Sequence, residues 1–269
     1  MRGMPSPADM YESMFVPAIF RPLSRHVLAL AAPKKGERVL DLACGTGIVA
    51  RQVAPLVGAE GRVVALDLRP GMLAAASKLT VPYGAAIEWV EGDATRLDLA
   101  PGSFDLVVCQ QGMQFFPDRA AAAAGMKRVL ASGGRAVIAC WRALEHHPLW
   151  SALAAAEMRH LAALGADASD ATAPFALGDA DELRGVLEGA GLRVVEVVER
   201  TIEVDFPAGG FVRDQYLAYA AVMPQFVADP AAFDAFVAAI ERDSKDAIAS
   251  FTRDGRVRCP MPTHIATAR

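Results

Sequence analysis

At 269 residues the chain is long enough for one large domain with a cap, and long enough to bury a sizeable core. Its formal net charge of −4, with no block of like charges, argues against a nucleic-acid partner, which would favour a basic face. Four scattered cysteines without a Cys-x-x-Cys, no apolar leader in Met1–Met10 and no run of ~20 apolar residues lead us to expect a cytoplasmic protein without a disulfide framework, zinc site or membrane span.

Met10–Ala31 predicts one or two helices interrupted by Pro17 and Pro22, with Tyr11, Phe15, Phe20 and Leu23 on an apolar side. Such a segment can pack on a sheet, lie over a ligand as a lid, or do both. From Glu37 the pattern alternates. Strands are expected at Arg38–Leu42, Val63–Asp67, Ile87–Glu91, Phe104–Cys109 and Arg135–Trp141. Helices are expected at Gly47–Val57, Pro70–Leu79 and Ala120–Leu130. Continuous apolar strands with helices between them imply an α/β fold with a parallel sheet covered on both faces. Arg142–Gly178 interrupts the alternation and carries helical apolar spacing at Leu149, Trp150, Leu153, Ala156, Leu161 and Leu164. Asp179 reads as the N-cap of helix Asp181–Ala190, ended by Gly191. Val194–Val198 and Thr201–Asp205 read as extended, Phe211–Met223 and Pro230–Ser250 as helices, and Arg256–Thr267 as a last strand.

The most informative stretch is Val39–Gly47, Val-Leu-Asp-Leu-Ala-Cys-Gly-Thr-Gly. An apolar run ends in an acid and breaks into a glycine loop, and a helix follows. That is the opening of a nucleotide-binding α/β unit. Gly45 and Gly47 permit a sharp turn and a close ligand approach. The helix start offers unpaired N–H groups to a carboxylate or phosphate. Asp67 ends the next strand about 20 residues further on, where a carboxylate accepts hydrogen bonds from ribose hydroxyls. Two cofactors fit this much. Gly45-x-Gly47-x-x-Ala50 satisfies the relaxed dinucleotide fingerprint, which keeps an NAD-dependent oxidoreductase open. The other is S-adenosylmethionine.

Further motifs separate them. Asp-Leu-Ala-Cys-Gly-Thr-Gly is followed by Val-Ala-Leu-Asp-Leu-Arg-Pro-Gly-Met-Leu, then Glu-Gly-Asp-Ala, then Gly-Ser-Phe-Asp-Leu-Val-Val. In that order and spacing the chain resembles the class I S-adenosylmethionine-dependent methyltransferases, with Val39 to about Cys140 matched. It is most similar to the branch that holds the ubiquinone/menaquinone C-methyltransferases and many small-molecule methyltransferases. No Tyr is followed by Lys four residues later, so the short-chain dehydrogenase dyad is absent.

The resemblance implies a Rossmann-like sheet, mostly parallel with an antiparallel last strand, plus helical cap insertions. It divides the chain into an N-terminal lid (1–36), a cofactor-binding core (37–141), a cap insertion (142–178), more core (179–206), a second cap (207–250) and a last core strand (251–269). It implies that Asp41, Gly45 and Gly47 hold the methionine end of S-adenosylmethionine and that Asp67 takes the ribose. Leu68 and Met72 would flank the adenine, Asp93 and Ala94 would meet its polar edge, and Gln110 and Gln111 would line the sulfonium side. The expected partner is a small apolar or aromatic acceptor methylated at O, C or N. The caps exceed those of the quinone enzymes, so secondary metabolism stands beside quinone metabolism as its setting. His146 and His147 follow the fifth strand and are the candidate general base. Tyr11, Tyr216 and Tyr219 are secondary candidates. No metal-ligand spacing is present. A non-catalytic S-adenosylmethionine-binding protein remains open, because the fold needs no fixed catalytic side chain.

Overall fold

The computed structural model describes residues 6–79, 81, 83–166 and 171–269, with backbone alone at 218–222 and 224. Its centre is a strand too apolar to face water. In β1 (Arg38–Leu42), Val39, Leu40 and Leu42 are all fully buried. The same holds for Val63 and Val64 of β2 (Arg62–Asp67) and for Val107 and Val108 of β4 (Phe104–Gln110). Strands buried on both faces require a covering layer on each side.

With β3 (Ile87–Glu91), β5 (Leu130–Trp141), β6 (Val194–Pro207), β7 (Thr252–Arg253) and β8 (Arg256–Ala268), they form one eight-stranded sheet ordered β3-β2-β1-β4-β5-β8-β6, with β7 paired to β8. The first five strands run parallel, and β8 lies antiparallel between β5 and β6. This is the mostly parallel, Rossmann-like sheet with an antiparallel last strand that the motifs imply. The strand order reverses at β1, which pairs with β2 on one side and β4 on the other. Such a reversal opens a crevice at the carboxyl ends of the two outward-leading strands.

One face packs against α2 (Arg21–Ala31), α3 (Ile48–Val57) and the caps, through Val39, Val63, Leu106 and Val137. The other, through Leu40, Val64, Phe104 and Ile138, covers α5 (Arg119–Val129) and α7 (Ala180–Gly189). The helix α4 (Pro70–Ala76) joins β2 to β3. Among the described residues no helix is long and apolar enough to cross a membrane.

Three departures from the sequence expectation have local causes. The N-terminal arm is continuous from α1 (Pro7–Met10) through α2. Pro17 sits inside a π-helical stretch, Tyr11–Phe20, whose wider turns change the hydrogen-bond ladder, and Pro22 falls where that stretch passes into α2. The extended segments 194–198 and 201–205 are one strand, because β8 pairs along the whole length. The cap helices are α6 (Pro148–Ala163), α8 (Phe211–Val222), α9 (Pro224–Ala228), α10 (Pro230–Asp243) and α11 (Lys245–Phe251). The single helix expected over 230–250 breaks at the buried Ser244, which leaves helical geometry and donates its hydroxyl to the Ala152 carbonyl at 3.4 Å.

Arg135 locks the arm to the sheet. It donates to both Glu37 oxygens (2.8 and 2.9 Å) and to the carbonyls of Ala31 (2.6 Å) and Ala32 (2.8 Å), where α2 ends in a left-handed residue. Burial pushes the Glu37 carboxyl up, but the Arg135 bonds and charge outweigh it and hold the group below its ordinary range. Arg135→Met strands a carboxylate and two carbonyls at once. It is expected to lower stability by about 2–3 kcal/mol in urea unfolding, with the denaturant slope unchanged.

Candidate active site

The crevice is built by three loops at the carboxyl end of the sheet. In the first, Ala43, Gly45 and Gly47 all have positive φ, which folds the chain back after β1. Gly47 has a second reason to be glycine: a Cβ there would collide with the indole of Trp89 on β3. Asp41, the penultimate residue of β1, is buried, and its carboxylate accepts from the Ala50 N–H at 2.8 Å. It thereby holds the start of α3, which has no side-chain cap of its own.

Asp67, at the end of β2, ties the first loop to the second. One oxygen accepts from the Gly45 N–H (2.7 Å) and the other from the Arg69 N–H (2.9 Å). The third loop follows β4, where Gln111 also has positive φ and a Cβ on Gly112 would overlap Ala43. Above lies the arm. Tyr11 stacks on Phe20 with ring centroids 4.9 Å apart and reaches the Gly45 backbone, and Glu12 grips Arg51 of α3 through both oxygens at 2.8 Å. Burial and the neighbouring Asp67 and Asp41 push the Tyr11 phenol far up, so it stays a neutral hydroxyl.

These parts enclose a cavity of about 620 Å³ that runs from Gly45 and Asp67 into a chamber under the caps, walled by Trp150, Phe175 and Tyr216. The candidates Gly45, Asp67, Leu68, Met72, Asp93, Ala94, Gln110 and Gln111 all line it. Asp41 and Gly47 do not: they shape the loop from behind. Leu68 is 66% exposed at the rim. Asp93 makes an Asx turn, one oxygen accepting from Thr95 N–H and hydroxyl (2.8 and 2.7 Å) and the other from Arg96 (3.2 Å).

The two glutamines differ. Gln111 spends its side chain inside the sheet: its oxygen accepts from Trp141 N–H (3.0 Å) and Gln114 (2.8 Å), and its amide donates to Thr263 (3.2 Å). Gln110 donates to the Phe20 carbonyl (3.2 Å), while its buried oxygen has no partner.

The histidine expectation needs correcting. Neither His146 nor His147 lines the cavity. His146 is exposed beside Arg142, at 2.9 Å. His147 is fully buried behind Trp141 and Phe175, and its Nε2–H donates to the Arg142 carbonyl at 3.1 Å. Burial drives its pKa down to about 4, so the ring stays neutral. A base must reach the proton it removes, and neither side chain does. The Tyr219 side chain lies outside the described residues.

Sequence reading missed Glu157 and Gln215, both of which line the cavity. The signal for Glu157 was present. Trp150, Leu153, Ala154 and Glu157 lie at i, i+3, i+4 and i+7 on α6, so an acid ends what reads as a core stripe. Among the described residues the cavity's carboxylates are Asp67, Asp93 and Glu157, against one guanidinium, Arg69. That field favours a cationic guest. Gln110 lines the same space, with its partnerless oxygen buried just behind the surface, and the residues present fit a sulfonium cofactor.

The comparisons agree. Residues 39–134 match the family model described as a methyltransferase domain. The ubiquinone/menaquinone biosynthesis C-methyltransferase UbiE of Stenotrophomonas maltophilia (strain K279a) is 36% identical over 130 residues, 48% of this chain and 51% of that protein. The 2-phytyl-1,4-naphtoquinone methyltransferase of Thermosynechococcus vestitus (strain NIES-2133 / IAM M-273 / BP-1) is 40% identical over 119 residues, 44% of this chain and 51% of that one. The chain thus spans about half the length of the curated relatives it matches. A crystal structure from Bacillus halodurans C-125, described as a methyltransferase, shares the fold with a TM-score of 0.61 at 22% identity, over 91% of this chain and 97% of that one. Residues 39–134 therefore match a methyltransferase domain, set in a sheet that shares the fold of a solved methyltransferase.

Burial, and then the charge of Asp67, push the Asp41 carboxyl up to about 7. Its folded pKa lies above the unfolded value, so the folded state binds the extra proton and this group's contribution to stability falls as pH rises from about 4 to 7. His147, lowered to about 4, works in the opposite sense over the same range. Asp41 is therefore isolated by comparison with a variant: Asp41→Asn should gain on the parent by about 2–3 kcal/mol between pH 4 and 7 in urea unfolding. A pH-independent difference would contradict the assignment.

Proposed function

We propose that the chain transfers a methyl group from S-adenosylmethionine to a small, largely apolar acceptor carrying an aromatic ring, at O, C or N. The relatives' quinone substrates support an acceptor of quinone size and chemistry. The observation that carries the reading is a continuous cavity that joins the glycine loop and Asp67 to an aromatic chamber under the caps. An NAD-dependent oxidoreductase is not supported: the matched domain is a methyltransferase domain.

In this reading Asp67 receives the ribose hydroxyls on lone pairs left over from Gly45 and Arg69. Leu68 and Met72 flank the adenine, with Asp93 and Ala94 at its polar edge. Gln110 lies beside the sulfonium, and a small rotation brings its partnerless oxygen to it. Asp41 and Gly47 act through the loop they shape, and Gln111 through the backbone turn it makes. Bound there, S-adenosylmethionine supplies a methyl group already activated by its positive sulfur. The protein then has to align the acceptor and keep water out. Tyr11 and Phe15 from the arm and Trp150 and Phe175 from the cap form the dry walls. An acceptor that must lose a proton needs a base as well.

Asp67→Ala removes the carboxylate and frees the loop it ties. It should weaken S-adenosylhomocysteine binding by about 10- to 100-fold, as expected for losing hydrogen bonds to a charged group. Calorimetry checks this, and unchanged affinity would remove the ribose assignment.

A further inference from the structure

Beside the Tyr216 hydroxyl and the Trp150 N–H, the largely apolar acceptor chamber holds two further polar side chains that have no role in holding the cofactor. Glu157 is 5% exposed, in the middle of a wall otherwise made of Trp150, Leu153 and Ala154. A carboxylate is among the costliest groups to bury, and leucine would suit that stripe. It already holds an interaction within the protein, and its two oxygens offer about four lone-pair sites, so it can also accept from a guest. Gln215 on α8 lines the same cavity, and its amide nitrogen is buried just behind the wall with no hydrogen-bond partner. The chamber thus carries an acceptor group and, one side-chain rotation away, an unused donor.

The helix that carries Glu157 is fixed from outside. Arg159 and His160 both reach Asp243 of α10, at 2.9 and 3.0 Å, and Ser244 holds the Ala152 carbonyl. Rotation of α6 would break all three, so Glu157 stays pointed at the cavity it lines.

Resting on the methyl-transfer reading above, we infer that Glu157 and Gln215 are the polar anchor for an aromatic acceptor with an acidic hydroxyl. The hydroxyl O–H donates to the Glu157 carboxylate, and the Gln215 amide N–H donates to an oxygen on the same ring. As the acceptor's oxygen or activated ring carbon bonds to the methyl carbon, the carbon–sulfur bond breaks and leaves its electron pair on sulfur. The hydroxyl proton passes to Glu157, which afterwards returns it to solvent. This gives the site the base that the histidines do not supply. A neutral phenol suits an apolar chamber better than an ammonium ion, whose desolvation costs more and whose lone pair is blocked by a proton.

The test uses equilibrium dialysis of the full chain with S-adenosylhomocysteine present, so that no turnover occurs. The probes are 2-naphthol, 2-methoxynaphthalene, naphthalene and 2-naphthylmethylamine. The parent protein should bind 2-naphthol at least tenfold more tightly than its methyl ether. Glu157→Gln, which keeps the side chain's size and shape, should reduce that ratio to under threefold. Gln215→Met should abolish the preference for the methyl ether over naphthalene. The ratio in the parent needs no variant, so it decides even if a substitution impairs folding. A parent ratio below threefold, a ratio untouched by Glu157→Gln, tighter binding of the amine, or failure of all four probes would each overturn the inference. Calorimetry with S-adenosylhomocysteine alone separates the two levels: if it does not bind, the cofactor reading falls first and takes this one with it.

Discussion

The site depends on one carboxylate. Asp67 accepts from Gly45 on one side and from Arg69 on the other, at 2.7 and 2.9 Å. It thereby joins the loops after β1 and β2 where the strand order reverses. Without it the glycine loop would present an unpaired N–H to the crevice, and the edge proposed to meet the ribose would lose both its charge and its shape. Asp41 performs the matching task from inside, holding the start of α3. Burial, and to a smaller extent the neighbouring Asp67 charge, raises the pKa of Asp41.

Around this fixed floor the chain adds a roof from distant sequence. The arm before β1 lays Tyr11 on the glycine loop, and Glu12 clips it to α3. The caps inserted after β5 and β6 close the far side with Trp150, Phe175 and Tyr216. The division of labour follows from the chemistry. On the proposed reading, moving an activated methyl group mainly requires alignment and dryness, which a polar, precise floor and an apolar, aromatic roof supply.

How far the sequence reveals this depends on whether the signal is local. The strand–loop–helix at Val39–Val57 and the acid at Asp67 are local patterns, with geometry imposed by a few backbone dihedrals. They gave the sheet, the topology class and the cavity's cofactor edge. The histidines were misplaced because adjacency to a strand end says nothing about which way a side chain turns, and Trp141 and Phe175 come between His147 and the cavity. Asp41 and Gly47 belong to the right motif, yet they support the loop from behind. Pro17 did not break the arm, since a π-helical stretch absorbed it. Glu157 went unnoticed because three of its stripe neighbours read as core. An acid on an apolar stripe is a local inconsistency, and such inconsistencies concentrate where a chain meets its ligand.

The central claim is that the crevice at the strand reversal takes S-adenosylmethionine. Thermal unfolding with S-adenosylhomocysteine, NAD or NADP at matched concentrations tests it most directly. A ligand at 100 times its dissociation constant adds about 2.7 kcal/mol to stability. The account predicts a clear upward shift with S-adenosylhomocysteine and none with either dinucleotide. A shift with NAD alone, and none with S-adenosylhomocysteine, would contradict it.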